Sequence, residues 1–140
     1  MSGLSPLTRE ALKAKREEID KKHSISVRMN LFSSGAINKI PALFCVADLN
    51  GFFVDVNDKW TEVLGWTKNE LLSKKFIEFV HPEDRISTER EYQNIVKSGN
   101  EVIGFVNRYK SKLGDYIKIQ WFVSKPNQFN QIVAFAHIVQ

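Results

Sequence analysis

The segment over residues 50–84 constrains the fold of this 140-residue chain most, because turn and helix-start signals follow one another closely there. Asn50-Gly51 is the strongest short hairpin signal, and it separates two apolar stretches. We predict that these stretches, residues 42–48 and 52–56, are the first two strands and pair as a hairpin. The rest of the domain should then fold around that hairpin.

Three helix-start signals follow the hairpin. Asn57 is placed to cap a short helix, and Gly65 is placed to end it. Thr67 and Glu70 have the spacing of a capping box and predict a second short helix. His81-Pro82-Glu83-Asp84 predicts the start of the longest helix, because proline suits the first helical position and the helix dipole favours acids there.

Three stretches after residue 100 alternate apolar and polar residues, as strands with one buried face do. They cover residues 101–110, 116–124 and 131–139. The alternation places Ile103, Phe105, Asn107 and Tyr109 on one face of the first, and Ile117, Ile119, Trp121 and Val123 on one face of the second. We therefore predict an α+β fold: a five-stranded antiparallel sheet with short helices and one longer helix on one face, preceded by an N-terminal helix.

Ser5-Pro6 predicts that the N-terminal helix begins near residue 6 and continues to about residue 22. We divide the chain into this flanking helix over residues 1–25, a connector over 26–40 and a domain over 41–140. Residues 1–30, which include this helix, carry +3 of the net charge of +4. Three roles stay open for it: a solvated helix, a helix that packs on the domain or on a second copy, and a helix that binds acidic lipid or nucleic acid.

Composition excludes several classes of protein. Hydrophobic residues make up 43% of the chain and charged residues 26%, which is ordinary for a globular domain. No run of about 18 apolar residues occurs, so we expect no membrane span and a cytoplasmic protein. Cys45 is the single cysteine, which excludes an internal disulfide and a multi-cysteine metal site. Its apolar neighbours predict an inert buried thiol.

No set of residues predicts catalysis. Glu83 and Asp84 follow His81, but the helix start explains both acids, and no activated nucleophile accompanies them. The sequence also has no glycine-rich phosphate loop. We therefore expect that the protein is not an enzyme.

Together these motifs resemble a PAS domain of the sensory-box type, over about residues 41–140. The matching residues are Asp48 with Gly51, Val56-Asn57, Gly65-Trp66, Glu70-Leu71, His81-Pro82-Glu83-Asp84, Phe105 with Asn107-Arg108-Tyr109, Gly114 and Trp121. The sequence departs from the family pattern at two places. Ile138-Val139-Gln140 stands where the family commonly has Asp-Ile-Thr, and Lys118 stands where it often has tryptophan.

The resemblance implies a sensory module that binds a small molecule between the sheet and the helices and so regulates its association with itself or a partner. A ligand-free dimerisation or protein-interaction module is the alternative. The implied ligand-binding residues are Phe44, Val46, Val54, Val56, Trp60, Leu64, Phe76, Phe79, Ile95, Phe105, Asn107, Ile119, Trp121 and Phe135. A packed core would use the same apolar residues, so Asn107 is the most informative of them, because a buried amide needs partners.

The identity of any cofactor stays open. Flavin photosensors of this fold carry a cysteine just before the long helix, and residues 73–79 contain none, so we do not expect covalent flavin. Haem is not expected either, because His81 should cap the long helix, His23 lies in the tail and the facing of His137 is undetermined. The expected partners are a second copy, through the N-terminal helix and the outer sheet face around Phe122, or a separate signalling effector. Nucleic acid and membrane are not expected.

Overall fold

The computed structural model describes residues 35–140, together with Ala11, Lys13 and Ala14. The chain divides into two compact units, residues 1–37 and 38–140. Ala11, Lys13 and Ala14 are helical, and the remainder of the predicted N-terminal helix lies outside the described residues. The domain boundaries at residues 25 and 40 therefore stay predictions.

The second unit is built on one sheet. Its strands are β1 (Leu43–Asp48), β2 (Phe53–Val56), β3 (Val102–Lys110), β4 (Tyr116–Val123) and β5 (Gln131–Ile138). They lie in the order β2-β1-β5-β4-β3, and every neighbouring pair is antiparallel. The last strand of the chain thus joins the first hairpin to the third and fourth strands. The predicted five-stranded antiparallel sheet is confirmed.

The helices lie between β2 and β3 in the sequence and cover the inner face of the sheet. They are α1 (Lys59–Leu64), α2 (Lys68–Leu72) and α3 (Arg85–Ser98), with 3-10 helices at Phe76–Phe79 and Pro82–Asp84. A further 3-10 helix, Ala36–Lys39, precedes β1. Buried side chains of the helices and of the inner face form one hydrophobic cluster. The predicted helical layer is therefore confirmed.

Most of the predicted helix ends are confirmed by hydrogen bonds. The Glu70 backbone N–H donates to Thr67 Oγ1 at 3.1 Å, and Glu70 Oε1 accepts from the Thr67 backbone N–H at 3.3 Å, which completes the capping box. Gly65 ends α1 with a φ of 83°, a left-handed conformation that glycine adopts without strain. His81 Nδ1 accepts from the Glu83 backbone N–H at 3.0 Å, so it caps the 3-10 helix Pro82–Asp84, and the longest helix begins after that turn, at Arg85.

The prediction that the Asn57 side chain caps α1 is wrong. The helix begins one residue later, after Asp58, and has no side-chain cap. The buried Asn57 amide instead reaches β1, where its Oδ1 accepts from the Phe44 N–H at 3.0 Å and its Nδ2 donates to the Ala42 carbonyl at 2.9 Å. These bonds pair backbone groups of β1 and of the residue before it with the Asn57 amide, and they fix the start of α1 to the sheet.

The prediction that Ile103 faces the interior is also wrong. A β-bulge at Gly104, whose φ is 82°, shifts the register of β3 against β4 between Ile103 and Phe105. Val102 is consequently buried, and Ile103 points outward with 80% of its surface exposed. A bulge adds one residue to a strand, so the alternation before it belongs to the opposite face.

Asp84 links the start of α3 to β3. Its carboxylate accepts from the Arg108 backbone N–H at 2.9 Å, from Nε at 2.8 Å and from Nη2 at 2.8 Å. Glu83 accepts from the same guanidinium at 3.1 Å. These bonds hold the pKa of the Asp84 carboxyl below its usual value. Both acids of the helix-start motif therefore bind Arg108 and attach the start of the helix to β3.

We expect the contribution of Asp84 to stability to disappear in acid. A carboxyl whose pKa is lowered by folding contributes stability that is fully present above its unfolded pKa, near 3.8, and lost as the pH falls through the folded value. Asp84→Asn should therefore lower the urea midpoint at neutral pH, and its difference from wild type should shrink below about pH 4. Asp115→Asn, at an exposed turn without an ion pair among the described residues, is the matched control. A difference for Asp84→Asn that stays constant into acid would contradict this role.

Within the described residues, no helix is both long enough and apolar enough to cross a bilayer.

Candidate ligand cavity

A cavity of about 70 Å³ lies between α3 and the inner face of the sheet. Cys45 and Ala47 of β1 and Ala134 of β5 form part of its wall, with Tyr92 and Ile95 of α3. Protein cores normally fill to the density of organic crystals. Here three neighbouring strand positions carry small side chains, which leaves space in an otherwise aromatic core.

A buried chain of hydrogen bonds crosses one side of the cavity. Asn107 Nδ2 donates to Thr88 Oγ1 at 3.1 Å, and Trp121 Nε1 donates to Asn107 Oδ1 at 2.7 Å. All three residues line the cavity and are almost fully buried. Because these bonds connect α3 to β3 and β4, a molecule that displaced Asn107 would change contacts in both the helical layer and the sheet. The prediction that Asn107 faces the interior is confirmed.

The structure separates the predicted ligand-binding residues into three groups. Those at the cavity wall are Phe76, Ile95, Phe105, Asn107 and Trp121. Those in the hydrophobic core away from the cavity are Val56, Trp60, Leu64, Phe79 and Ile119. Those on the opposite face of the sheet are Phe44, Val46 and Phe135. Contact of the first group with a ligand stays a prediction.

The inward placement of Phe44, Val46 and Phe135 is wrong because β1 is apolar on both faces. Successive side chains of a strand point to opposite sides. Cys45 lines the cavity and pairs with Ala134, so the adjacent pair, Phe44 with Phe135, must face outward. The two outward rings contact each other with centroids 4.8 Å apart. An uninterrupted apolar run gives no alternation from which the inner face could be read.

The prediction for β2, the second strand of the first hairpin, is also wrong by one residue. Phe53 lines the cavity, and Val54, which we expected there, does not. Phe53 packs its ring on Trp60, with centroids 4.9 Å apart, and on Phe76 at 6.0 Å. No sequence signal places Phe53 there, because it pairs with Ala47 only after a register shift between Val46 and Ala47, which the structure alone shows.

Sequence reasoning also missed the polar residues of the cavity other than Asn107. Thr88 and Glu91 line it from α3, where the helix showed only a sparse apolar pattern. The Tyr92 hydroxyl donates to the Asp48 carbonyl, and burial raises the pKa of Tyr92 to about 12. The Cys45 thiol lies in the wall, and burial raises its pKa too, which favours the uncharged form. The predicted burial of Cys45 is thus confirmed.

The described histidines lie away from the cavity. His81 caps the 3-10 helix Pro82–Asp84, and its ring contacts Tyr116 with centroids 4.3 Å apart. His137 lies on the outer face of β5 and stacks on Phe122 at 5.7 Å. Neither ring is placed to coordinate a group held inside the cavity.

The sequence profile described as the PAS fold matches residues 53–136. The chain belongs to this family. The matched segment covers β2, β3, β4, most of β5 and all of the helices over the cavity. PAS domains are sensory and interaction modules, and the resemblance inferred from the motifs is confirmed.

Curated relatives and solved structures agree with this assignment. The PAS domain is 30% identical over 92 residues to mouse basic helix-loop-helix ARNT-like protein 2, and the match covers 64% of this chain and 16% of that protein. It is 28% identical over 69 residues to the Drosophila melanogaster homolog of the aryl hydrocarbon receptor nuclear translocator, covering 49% and 11%. The chain thus spans a small part of these relatives.

Two solved structures illustrate the shared fold. The PAS-B domain of Drosophila melanogaster Cycle with bound ethylene glycol superposes with a TM-score of 0.64 at 22% identity, over 69% of this chain and 99% of that one. The PAS domain of an HTR-like protein from Haloarcula marismortui gives a TM-score of 0.62 at 19% identity, over 89% and 99%. At these levels of sequence identity, the similarity shows a shared fold.

Proposed function

We propose that this PAS domain is a sensor that binds a small uncharged molecule in its cavity and thereby changes its association with a second copy or with a separate signalling protein. The observation that carries the proposal is the cavity itself, bounded by the hydrogen-bonded groups Thr88, Asn107 and Trp121. The structure of the wild-type Cycle PAS-B domain with bound ethylene glycol, and that of its tryptophan-to-alanine variant with bound glycerol, support a small neutral ligand.

The volume and the wall define the class of molecule. One water occupies about 10–15 Å³ of such space, so 70 Å³ accommodates roughly five to seven water-sized groups. Glu91 is the one charged side chain among the described residues of the wall, and no lysine, arginine or histidine accompanies it. An anion would meet no compensating cation there, and burying an unpaired charge is costly. Because the wall is otherwise almost entirely apolar, a neutral molecule of about five to seven non-hydrogen atoms fits best by the same estimate.

Native mass spectrometry of freshly purified protein tests the proposal, with an absorption spectrum from about 300 to 700 nm on the same sample. We expect extra mass at one ligand per protomer, and a ligand at 100 times its dissociation constant should add about 2.7 kcal/mol to the free energy of unfolding. If the measured mass were that of the protein alone, and if neutral small molecules did not raise its free energy of unfolding, ligand sensing would be contradicted. Denaturing spectra of the same sample distinguish a bound molecule from covalent modification.

A ligand-free interaction module is the second candidate, and the outer face of the sheet favours it. Phe44 pairs with Phe135, Phe135 with Phe122, and Phe122 with Ile103, so one apolar row crosses four strands. Phe122, Phe135 and Ile103 are exposed. We propose that this row, with the N-terminal helix, forms the contact between two copies. A dimer mass in the native mass spectrum of ligand-free protein would support this function, and a monomer mass would contradict it.

We further propose that the domain acts by binding and not by catalysis. The acids that follow His81 are already engaged, because Glu83 and Asp84 both bind the Arg108 guanidinium. The cytoplasmic location stays a prediction.

A further inference from the structure

The Tyr109 hydroxyl is a buried polar group that no described residue binds. Tyr109 is 2% exposed, and its ring packs on Trp60 and Trp121 with centroids 5.7 and 5.6 Å away. The cavity's other tyrosine differs, because the Tyr92 hydroxyl donates to the Asp48 carbonyl. A buried polar group without a partner is rare in folded proteins and calls for an explanation.

The residue that carries this hydroxyl also lines the cavity. Every described side-chain nitrogen or oxygen that is sealed from open space has a hydrogen-bond partner. The unbonded Tyr109 hydroxyl must therefore touch open space, and the cavity that Tyr109 lines supplies it. Burial raises the pKa of Tyr109, and the neighbouring Cys45 thiol of the cavity wall raises it further.

The buried polar groups of Thr88, Asn107 and Trp121 in the wall already bind one another. Asn107 Oδ1 accepts from Trp121, and Thr88 Oγ1 accepts from Asn107. Asn107 and Thr88 keep one further donor hydrogen each, but both are already fixed by protein bonds, whereas the Tyr109 hydroxyl has no partner among the described residues. A neutral phenol is also a good hydrogen-bond donor.

We propose that the Tyr109 hydroxyl anchors the ligand by donating a hydrogen bond to an uncharged oxygen on an otherwise apolar molecule, such as a small ether, ketone or alcohol. This inference rests on the proposed function and narrows it to ligands that carry a neutral acceptor. The apolar remainder of the molecule would contact Ala47, Ile95 and Ala134.

Tetrahydrofuran and cyclopentane test the anchor, because the two rings have nearly the same shape and differ in one acceptor oxygen. Their dissociation constants would be measured by NMR on the methyl signals of Ile132 and Ala134, in wild type and in Tyr109→Phe. We expect the variant to bind tetrahydrofuran about fivefold more weakly, the size of one net hydrogen bond, and to bind cyclopentane unchanged. Tyr116→Phe, at an exposed tyrosine, is the control and should bind both probes like wild type.

Equal changes for the two probes in Tyr109→Phe, or no change for either, would overturn the anchor and leave the cavity as a binding site. Failure of both probes to bind wild type would instead contradict the proposed function. The urea midpoint without ligand supplies a second readout. It should stay equal or rise in Tyr109→Phe, because no protein hydrogen bond is lost, and a clear fall would show that the hydroxyl already has a protein partner.

Discussion

Replacing Ala134 by valine is expected to abolish small-molecule binding while the fold stays intact. Ala134 lines the cavity from the centre of the sheet, between Cys45 on β1 and Val123 on β4. Two added methyl groups would occupy most of the 70 Å³ of open space. Because that space is empty of protein atoms, the change in free energy of unfolding should stay within about 1 kcal/mol of wild type.

Ala136→Val is the matched control, two residues along the same face of the same strand. Ala136 is 1% exposed and does not line the cavity, so its added methyl groups meet packed neighbours. We expect a loss of about 1–3 kcal/mol in the free energy of unfolding. Binding would be measured with tetrahydrofuran and stability by urea denaturation. An Ala134→Val protein that binds as tightly as wild type would show that the ligand lies elsewhere.

Trp60→Ala should cause the largest loss of stability of any single change considered for this domain. Trp60 is fully buried, and its ring contacts Phe53, Tyr109 and Trp121. Its Nε1 also donates to the Phe44 carbonyl at 3.0 Å, so truncation leaves both a void and a buried acceptor with one bond fewer. We expect a loss of about 3–5 kcal/mol in the free energy of unfolding. For a domain of ordinary stability that is a large share of the total.

Trp66→Ala is the control for the tryptophan truncation. Trp66 is partly exposed, and its Nε1 donates to the Lys110 carbonyl at 2.8 Å, so it shares the hydrogen bond but not the full burial. The loss in free energy of unfolding for Trp66→Ala should be clearly smaller than that for Trp60→Ala in the same urea titration. Equal losses at the two positions would show that the aromatic cluster around Trp60 is less important than its contacts indicate.

The local signals of the sequence predicted the elements of the fold well. Asn50-Gly51, the box of Thr67 and Glu70, and the terminator Gly65 each act through backbone groups a few residues away, so sequence spacing is enough to read them. Alternation in β4 likewise gave the correct inner face, because its outer positions are mostly polar.

The cavity could be predicted only in part, since it depends on which residues of different strands meet. Phe76, Ile95 and Asn107 were placed correctly by periodicity and by fold resemblance. The face of β1 could not be read, because Phe44 and Cys45 are equally apolar. Only the pairing of Cys45 with Ala134 decides that small residues point inward and aromatic ones outward.

The sequence by itself determined the PAS fold, the order of strands and helices, and the amide at position 107, all of which rest on local chemistry or on motif spacing. Tertiary structure alone decided the bulge that turns Ile103 outward, the attachment of Asn57 to β1 and the open hydroxyl of Tyr109. Each of these features depends on contacts between residues that are far apart in the sequence. Such contacts are set by strand register and core packing, which follow from the whole sheet and not from any short segment.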